Sequence, residues 1–197
     1  MKTNVADLPI NFDHIKTILG IILGLSITHL LNGIFKFVQH PKLAKPYWVH
    51  LSWCLYVLLL IIHFWWWESQ LRIITNWNFA EYFFLFFYIT VYYFLCSLLI
   101  PNDIDEYNGY FNYFYSRKKW IFGTLGVSYI LDYVDTYIKG AAYYHQHYNI
   151  EYPIRGITHF ALCIVAMNTN NKKFHSILVI VFLAYELSYI YRLFLNS

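Results

Sequence analysis

Among the polar residues inside stretches of this chain that are otherwise strongly apolar are the histidines His29, His50, His63 and His159 and the carboxylates Asp132, Asp135 and Glu186. Histidine titrates near neutral pH, and intramembrane carboxylates recur in proton relays and ion paths, so these residue types within reach of one another could hold or pass protons or a small ion. Asp132 and Asp135 are spaced i, i+3 on one helical face with Ser128. Lys139 follows Asp135 by four positions, which reads as a local ion pair near a helix end, whereas Asp132 lies about two turns further in and is expected to be isolated. Glu186 is similar, about eight residues from the end of its apolar run.

The segment GLSITHLLNG, residues 24–33, places small and polar groups side by side. Gly20, Gly24, Thr28 and Asn32 recur every fourth position, the spacing that lets two membrane helices approach closely, so they are expected to form a packing seam. His29 is flanked by Ser26 and Gly33 and has room to reach a neighbouring helix, either as hydrogen-bonding glue or as part of a functional site. Gly156-Ile157-Thr158-His159 nearly repeats this stretch. The first copy leads to Pro41-Lys42 and the second to Lys172-Lys173, so helices one and two would correspond to helices five and six, in the same direction.

His50 and His63 are thirteen residues apart, a net turn of about 220° on a helix, so they face different ways and disfavour a stacked di-haem arrangement. No cofactor is expected; a single b-type haem held by His29 or His159 and a second histidine stays as an alternative. Tyr144-His145-Gln146-His147-Tyr148 lacks a nearby third ligand and reads as an interfacial loop rather than a metal site. Cys54, Cys96 and Cys163 each lie in a different apolar run and read as buried small side chains. No phosphate loop, dinucleotide fingerprint or clustered histidine box occurs, so an enzyme is the less favoured reading.

The elements that must position these residues follow from composition. Of 197 residues 59% are hydrophobic, 22% aromatic and only 13% charged, against roughly 25% charged in ordinary globular chains. Six apolar runs, at residues 14–38, 47–67, 79–100, 119–139, 153–168 and 173–194, are each near the ~20 residues a membrane crossing needs, the fifth being the shortest. The expected fold is an all-α membrane protein, a single polytopic domain over residues 1–197 with about six transmembrane helices and short loops. The first run lacks a basic start and a cleavage site and is expected to remain as a helix. Trp65-Trp66-Trp67-Glu68 reads as an interfacial anchor, and Pro101 to Ser116, rich in Tyr and Phe, as a segment lying along the membrane surface.

Lys36, Lys42, Lys45, Arg117, Lys118, Lys119, Lys172 and Lys173 fall in one set of loops, against Lys2, Lys16, Arg72, Lys139, Arg155 and Arg192 in the other, which puts both termini outside. At a rise of about 1.5 Å per residue, Asp132, His159 and Glu186 then lie roughly 10 to 12 Å below the outer boundary with His63 shallower. His29, Asn32 and His50 form a second layer near the inner boundary. Two such layers suit a proton or ion path, or two sets of hydrogen-bonded helix clamps. The net charge of +3 and the lack of a basic stripe argue against a nucleic-acid partner.

The series Gly24-Leu25-Ser26-Ile27-Thr28-His29-Leu30-Leu31, Tyr47-Trp48-Val49-His50-Leu51-Ser52-Trp53 and Phe64-Trp65-Trp66 resembles small uncharacterised bacterial polytopic membrane proteins, over roughly residues 18–67 with an echo to about residue 125. The resemblance implies a bacterial inner (plasma) membrane setting and no particular activity. The residues themselves lead to an expected intramembrane His and carboxylate site that translocates or senses protons or a small ion, in a homo-oligomer or alone. The alternative from another class is a non-catalytic membrane scaffold whose polar residues only hold helices together.

Overall fold

The computed structural model describes residues 12–39, 45–74 and 76–195; Lys2, Pro41 and Lys42, which entered the charge count and the repeat, lie outside them. The described residues form seven α-helices: α1 (Phe12–Gln39), α2 (Trp48–Glu68), α3 (Phe79–Leu99), α4 (Tyr110–Lys139), α5 (Ala141–His147), α6 (Glu151–Asn168) and α7 (Lys172–Ile190). Short turns extend two of them, a 3-10 segment Ser69–Ile73 after α2 and a π segment Tyr191–Leu195 after α7.

Local chemistry sets several of these ends. Asn78 and Glu81 exchange side-chain and backbone hydrogen bonds of 3.0 and 3.1 Å, a capping box that opens α3. Asn171 accepts from the backbone N–H groups of Lys173 and Phe174 and opens α7. α4 is bounded by Gly109 at φ 118° and Gly140 at φ 95°, conformations that side-chain-bearing residues rarely adopt. Tyr110 N–H donates to the Lys45 carbonyl across the first of these turns. As a result α4 begins at Tyr110, and the last part of the segment expected to lie flat, residues 110–116, is helix. Residues 144–147, expected to lie in a loop, belong to α5.

Four helices are long and apolar enough to cross a membrane: Phe12–Gln39, Trp48–Ile73, Phe79–Leu99 and Lys172–Leu193. The pair α5 and α6, bent by 94° at residues 148–150, makes a fifth if counted as one broken span. The count of about six thus stands as four or five by length and composition. The shortfall is α4, long enough at 30 residues, or about 45 Å, but charged at Arg117, Lys118, Lys119, Asp132, Asp135 and Lys139.

The six long helices run alternately up and down. His14 stacks near Tyr82 and His29 reaches Ile100, so α1 and α3 are parallel; Lys139 reaches Glu68, Lys118 reaches Thr169 and His63 reaches Glu186, which fixes the rest. One end, the carboxylate end, gathers the C-termini of α2, α4 and α7 and the N-termini of α1, α3 and α6. The opposite, basic end carries Lys36, Lys45, Arg117, Lys118, Lys119, Lys172 and Lys173. Between them lies an aromatic core in which Trp53 meets Tyr56, Phe122 and Phe182 edge-on at 5.0 to 5.5 Å. The outer faces present large apolar side chains such as Ile21, Leu25, Phe83, Phe87 and Ile177.

The small-residue seam is not where its spacing placed it. α1 buries Ile15, Leu19, Leu23, Ser26, Leu30 and Gly33, while Gly24, Thr28 and Asn32 face outward. A step of four residues turns about 400°, so a strictly four-spaced row drifts by roughly 40° per step and leaves the contact face. The close approach occurs at Gly33, where an added Cβ would overlap the Ile100 side chain, and at Gly156, where it would overlap the Tyr133 hydroxyl. Ile100 is β-branched and stiff at χ1, so it cannot swing clear cheaply. Gly33→Ala is therefore expected to destabilise by about 1–3 kcal/mol. Gly24→Ala, with nothing within 4 Å of the new methyl, should stabilise by about 0.5–1 kcal/mol through helix propensity. Thermal unfolding in detergent measures both, and equal effects at the two glycines would refute this placement of the contact.

Candidate functional site

At the carboxylate end five helices converge on a cavity of about 40 Å³, α3 through Tyr92 alone, with room for one to three water molecules. α2 contributes Tyr56, His63, Trp67 and Glu68; α4 contributes Ser128, Tyr129, Asp132, Asp135 and Lys139; α6 contributes Arg155 and His159; α7 contributes Glu186. Packing of the bundle turns these positions inward, where most of the polar groups meet one another.

Lys139 is the hub of one half. Its ammonium donates to Glu68 Oε1 at 2.8 Å and to Asp135 Oδ2 at 2.5 Å, and all three side chains are almost wholly enclosed. The other oxygens of this pair, Glu68 Oε2 and Asp135 Oδ1, are buried without a hydrogen-bond partner. The second half centres on His63. Trp67 Nε1–H donates to His63 Nε2 at 2.6 Å, and an indole N–H can only donate. Nε2 must therefore be the accepting nitrogen, so Nδ1 carries the hydrogen and donates to Glu186 Oε1 at 2.5 Å. The i, i+4 spacing of His63 and Trp67 thus sets the tautomer that meets the carboxylate.

Arg155 completes the wall by a different route. Its guanidinium stacks over Tyr189 at 4.4 Å and over Tyr152 at 5.6 Å, and approaches Asp132 Oδ2 no closer than 3.8 Å, while its Nε is buried with no partner. His159 donates Nδ1–H to the Arg155 carbonyl at 2.8 Å, one turn back, which leaves Nε2 with the lone pair. The hydroxyls of Tyr56 and Tyr129 meet at 2.5 Å at the same cavity. Four carboxylates and two permanent cations line this cavity with two histidines, so with every acid ionised and both histidines neutral the site would be two positive charges short of balance. Such a shortfall in a low-dielectric enclosure favours bound protons or a cation. No group of three or more His, Cys, Asp or Glu converges as metal ligands among the described residues.

Tyr148, between α5 and α6, lines both this cavity and a surface depression of about 120 Å³ formed with His147, Asn149, Glu151, Tyr189 and Arg192. It stacks on Tyr152 at 4.1 Å. Glu151 is held there by Arg192 at 2.5 and 2.9 Å and by the Tyr185 hydroxyl at 2.7 Å. Towards the basic end the cavity is closed by Trp53, Phe122 and Phe182, with His175 stacked on Phe122 beyond them.

Of the expected site residues, His63, Asp132, His159 and Glu186 meet at this cavity. His29, Asn32 and His50 do not. His29 Nε2–H donates to the Ile100 carbonyl at 2.9 Å and His50 Nε2–H to the Leu99 carbonyl at 2.7 Å, so two histidines from α1 and α2 grip the C-terminal carbonyls of α3. Asn32 is exposed beside a separate depression of about 350 Å³ with His29, Lys36 and Asn102. The repeated Ile-Thr-His triplets do run in the same direction, but one histidine grips another helix and the other its own turn. They also lie in opposite halves, and His159 is packed against Tyr129, Phe182 and Tyr185 with ring centres 4.4 to 5.3 Å away, so a haem there would have to displace these rings.

Asp135 pairs with Lys139 as its spacing predicts, but the pair is buried and joined by Glu68, whereas Asp132, expected to be isolated, is half-buried and faces Arg155. Glu68 and Trp67, read as the end of an interfacial anchor, are site residues, and Arg155 was counted only as a loop charge. Two signals carried them: the i, i+4 spacing of His63 and Trp67, and the common helical face of Ser128, Asp132, Asp135 and Lys139. The chain matches no protein-family model, no curated protein and no solved structure.

Proposed function

We propose that this protein is an integral membrane protein, crossing six times with α4 as one crossing, whose buried carboxylate and histidine site takes up protons or a small cation from one face of the membrane. The observation that carries this is the imbalance of four carboxylates against two permanent cations around a cavity of about 40 Å³. A space of that size suits protons, water or a bare ion and not an organic substrate. Pairing supports the crossing of α4: Asp135, Lys139 and Asp132 each have an oppositely charged neighbour, which is how charges are tolerated inside a bilayer.

Charge pairing also bears on orientation. At the carboxylate end Lys16, Lys139, Arg155 and Arg192 lie within 4 Å of a carboxylate, and Arg72 alone among the described lysines and arginines there does not. At the basic end Lys36, Lys45, Lys119, Lys172 and Lys173 have no such partner among the described residues, which supports a cytoplasmic basic end and, by the resemblance, a bacterial inner membrane. The site then opens past Tyr148 to the outside. Full translocation requires the Trp53, Phe122 and Phe182 layer to part; with that layer closed, the same site acts as a sensor of external protons or ions.

Liposomes test the translocation form. Proton or cation flux should fall at least tenfold in Asp132→Asn/Glu186→Gln and persist in His29→Ala, whose histidine only grips α3. Flux unchanged in the double variant would sink the proposal as stated. A second reading, a membrane scaffold, is favoured by the two histidines clamped on α3; it predicts no flux in the parent protein and loss of assembly in His29→Ala/His50→Ala.

A further inference from the structure

A second concavity lies on the outer surface between α3 and α4, about 700 Å³ in volume and unconnected to the buried site. It runs about 12 Å along the helices, from Phe94 and Lys119 to Phe87 and Val127. Gly123 and Thr124 lie on its floor with aromatic residues Phe87, Phe94 and Trp120 around them; a Cβ on Gly123 would meet the Met167 side chain, its methyl at 3.5 Å and its sulfur at 3.9 Å. The Thr90 hydroxyl is already spent on the Phe86 carbonyl, so the lining offers one charge, Lys119, at the basic end. Lys119 has no carboxylate partner among the described residues, and Trp120 beside it is 60% exposed.

One charge at one end of an otherwise apolar trough is the complement of an amphiphile. A two-fold pair of copies meeting through this face would bring two Lys119 ammonium groups together, which opposes that occupant. We propose that the groove between α3 and α4 binds one phospholipid with an anionic headgroup, its phosphate at Lys119 and an acyl chain lying over Gly123 between Phe87 and Phe94. The volume falls within the range of ordinary ligand pockets, and basic pockets between membrane helices are known to select anionic headgroups. The proposal rests on α4 lying in the bilayer and is otherwise independent of the proton or ion site.

Native mass spectrometry of the full chain, delipidated and then offered phosphatidylglycerol and phosphatidylcholine in equal amounts, tests it. One retained lipid is expected, with a preference for phosphatidylglycerol of about fivefold. Lys119→Gln should bring the ratio to about one and Lys119→Arg should keep it, both without change in the lipid-free melting temperature, while Gly123→Leu should remove the bound lipid without lowering that temperature. An unchanged ratio in Lys119→Gln, equal retention in Gly123→Leu, or a dimer abolished by Gly123→Leu would overturn the proposal. Thiol labelling of Val127→Cys separates the two ways of failing: labelling from water means that α4 lies outside the bilayer, whereas protection without lipid preference defeats the lipid proposal alone.

Discussion

Lys139→Met is expected to be the most destabilising single change, at about 3–5 kcal/mol. The ammonium is the only cation in hydrogen-bonding contact with Glu68 and Asp135 among the described residues, and both acids are enclosed. Its removal leaves two carboxylates facing each other and raises the shortfall of positive charge around the cavity from two to three. Methionine keeps most of the lysine's volume, so the loss reports charge rather than packing. For a chain of this length the change corresponds to a fall in melting temperature on the order of 10 °C. The triple variant Glu68→Gln/Asp135→Asn/Lys139→Met removes the charges together and should recover most of the loss, since a buried ionic cluster contributes little beyond a neutral one of the same shape. If the triple variant melts as low as Lys139→Met alone, the charge argument is wrong.

Glu186 is expected to respond in opposite directions to two substitutions. Glu186→Ala leaves the His63 Nδ1–H without its acceptor and opens a void beside Tyr56 and Phe182, costing about 2–4 kcal/mol. Glu186→Gln keeps an oxygen for Nδ1–H and removes one of the surplus negative charges, so its stability should equal or exceed that of the parent. Trp67 supplies a local readout. With alanine, His63 is free to turn and the Trp67 Nε1–H to His63 Nε2 bond of 2.6 Å is lost, shifting indole emission; with glutamine, emission stays put. A Trp67→Phe control identifies the signal among the seven tryptophans. A large loss of stability in Glu186→Gln would mean that the carboxylate is needed for its charge, and that the surplus is balanced by something other than protons or a cation.

The two substitutions probe one design. Around the cavity, hydrogen bonds fix positions, His63 between Trp67 and Glu186 and Lys139 between Glu68 and Asp135, while the overall charge is left unbalanced. Histidines at the other end show the contrasting use of the same residue type. His29 and His50 each meet a backbone carbonyl and no carboxylate, so they close a helix end and hold α3 in place.

The sequence by itself determined the class of fold and most helix positions. Long apolar runs specify helices through composition alone, and the predicted limits of α1, α2, α3 and α7 fall within a few residues of those observed. Residue count at about 1.5 Å per residue also put Asp132, His159 and Glu186 near one level with His63 shallower, and these four line one cavity. Tertiary structure alone decided which side chains of different helices touch. Rotation about each helix axis and the choice of neighbour are set by packing, as at Gly33 against Ile100 and Gly156 against Tyr133, and no local spacing encodes them. That is why the four-spaced row on α1 turned outward, why Glu68 left the membrane-anchor motif to join Lys139, and why Asp132 faces Arg155 instead of standing alone. The contacts Lys139 to Glu68 and His63 to Glu186 join residues 71 and 123 positions apart, and only the folded bundle brings them within hydrogen-bonding distance.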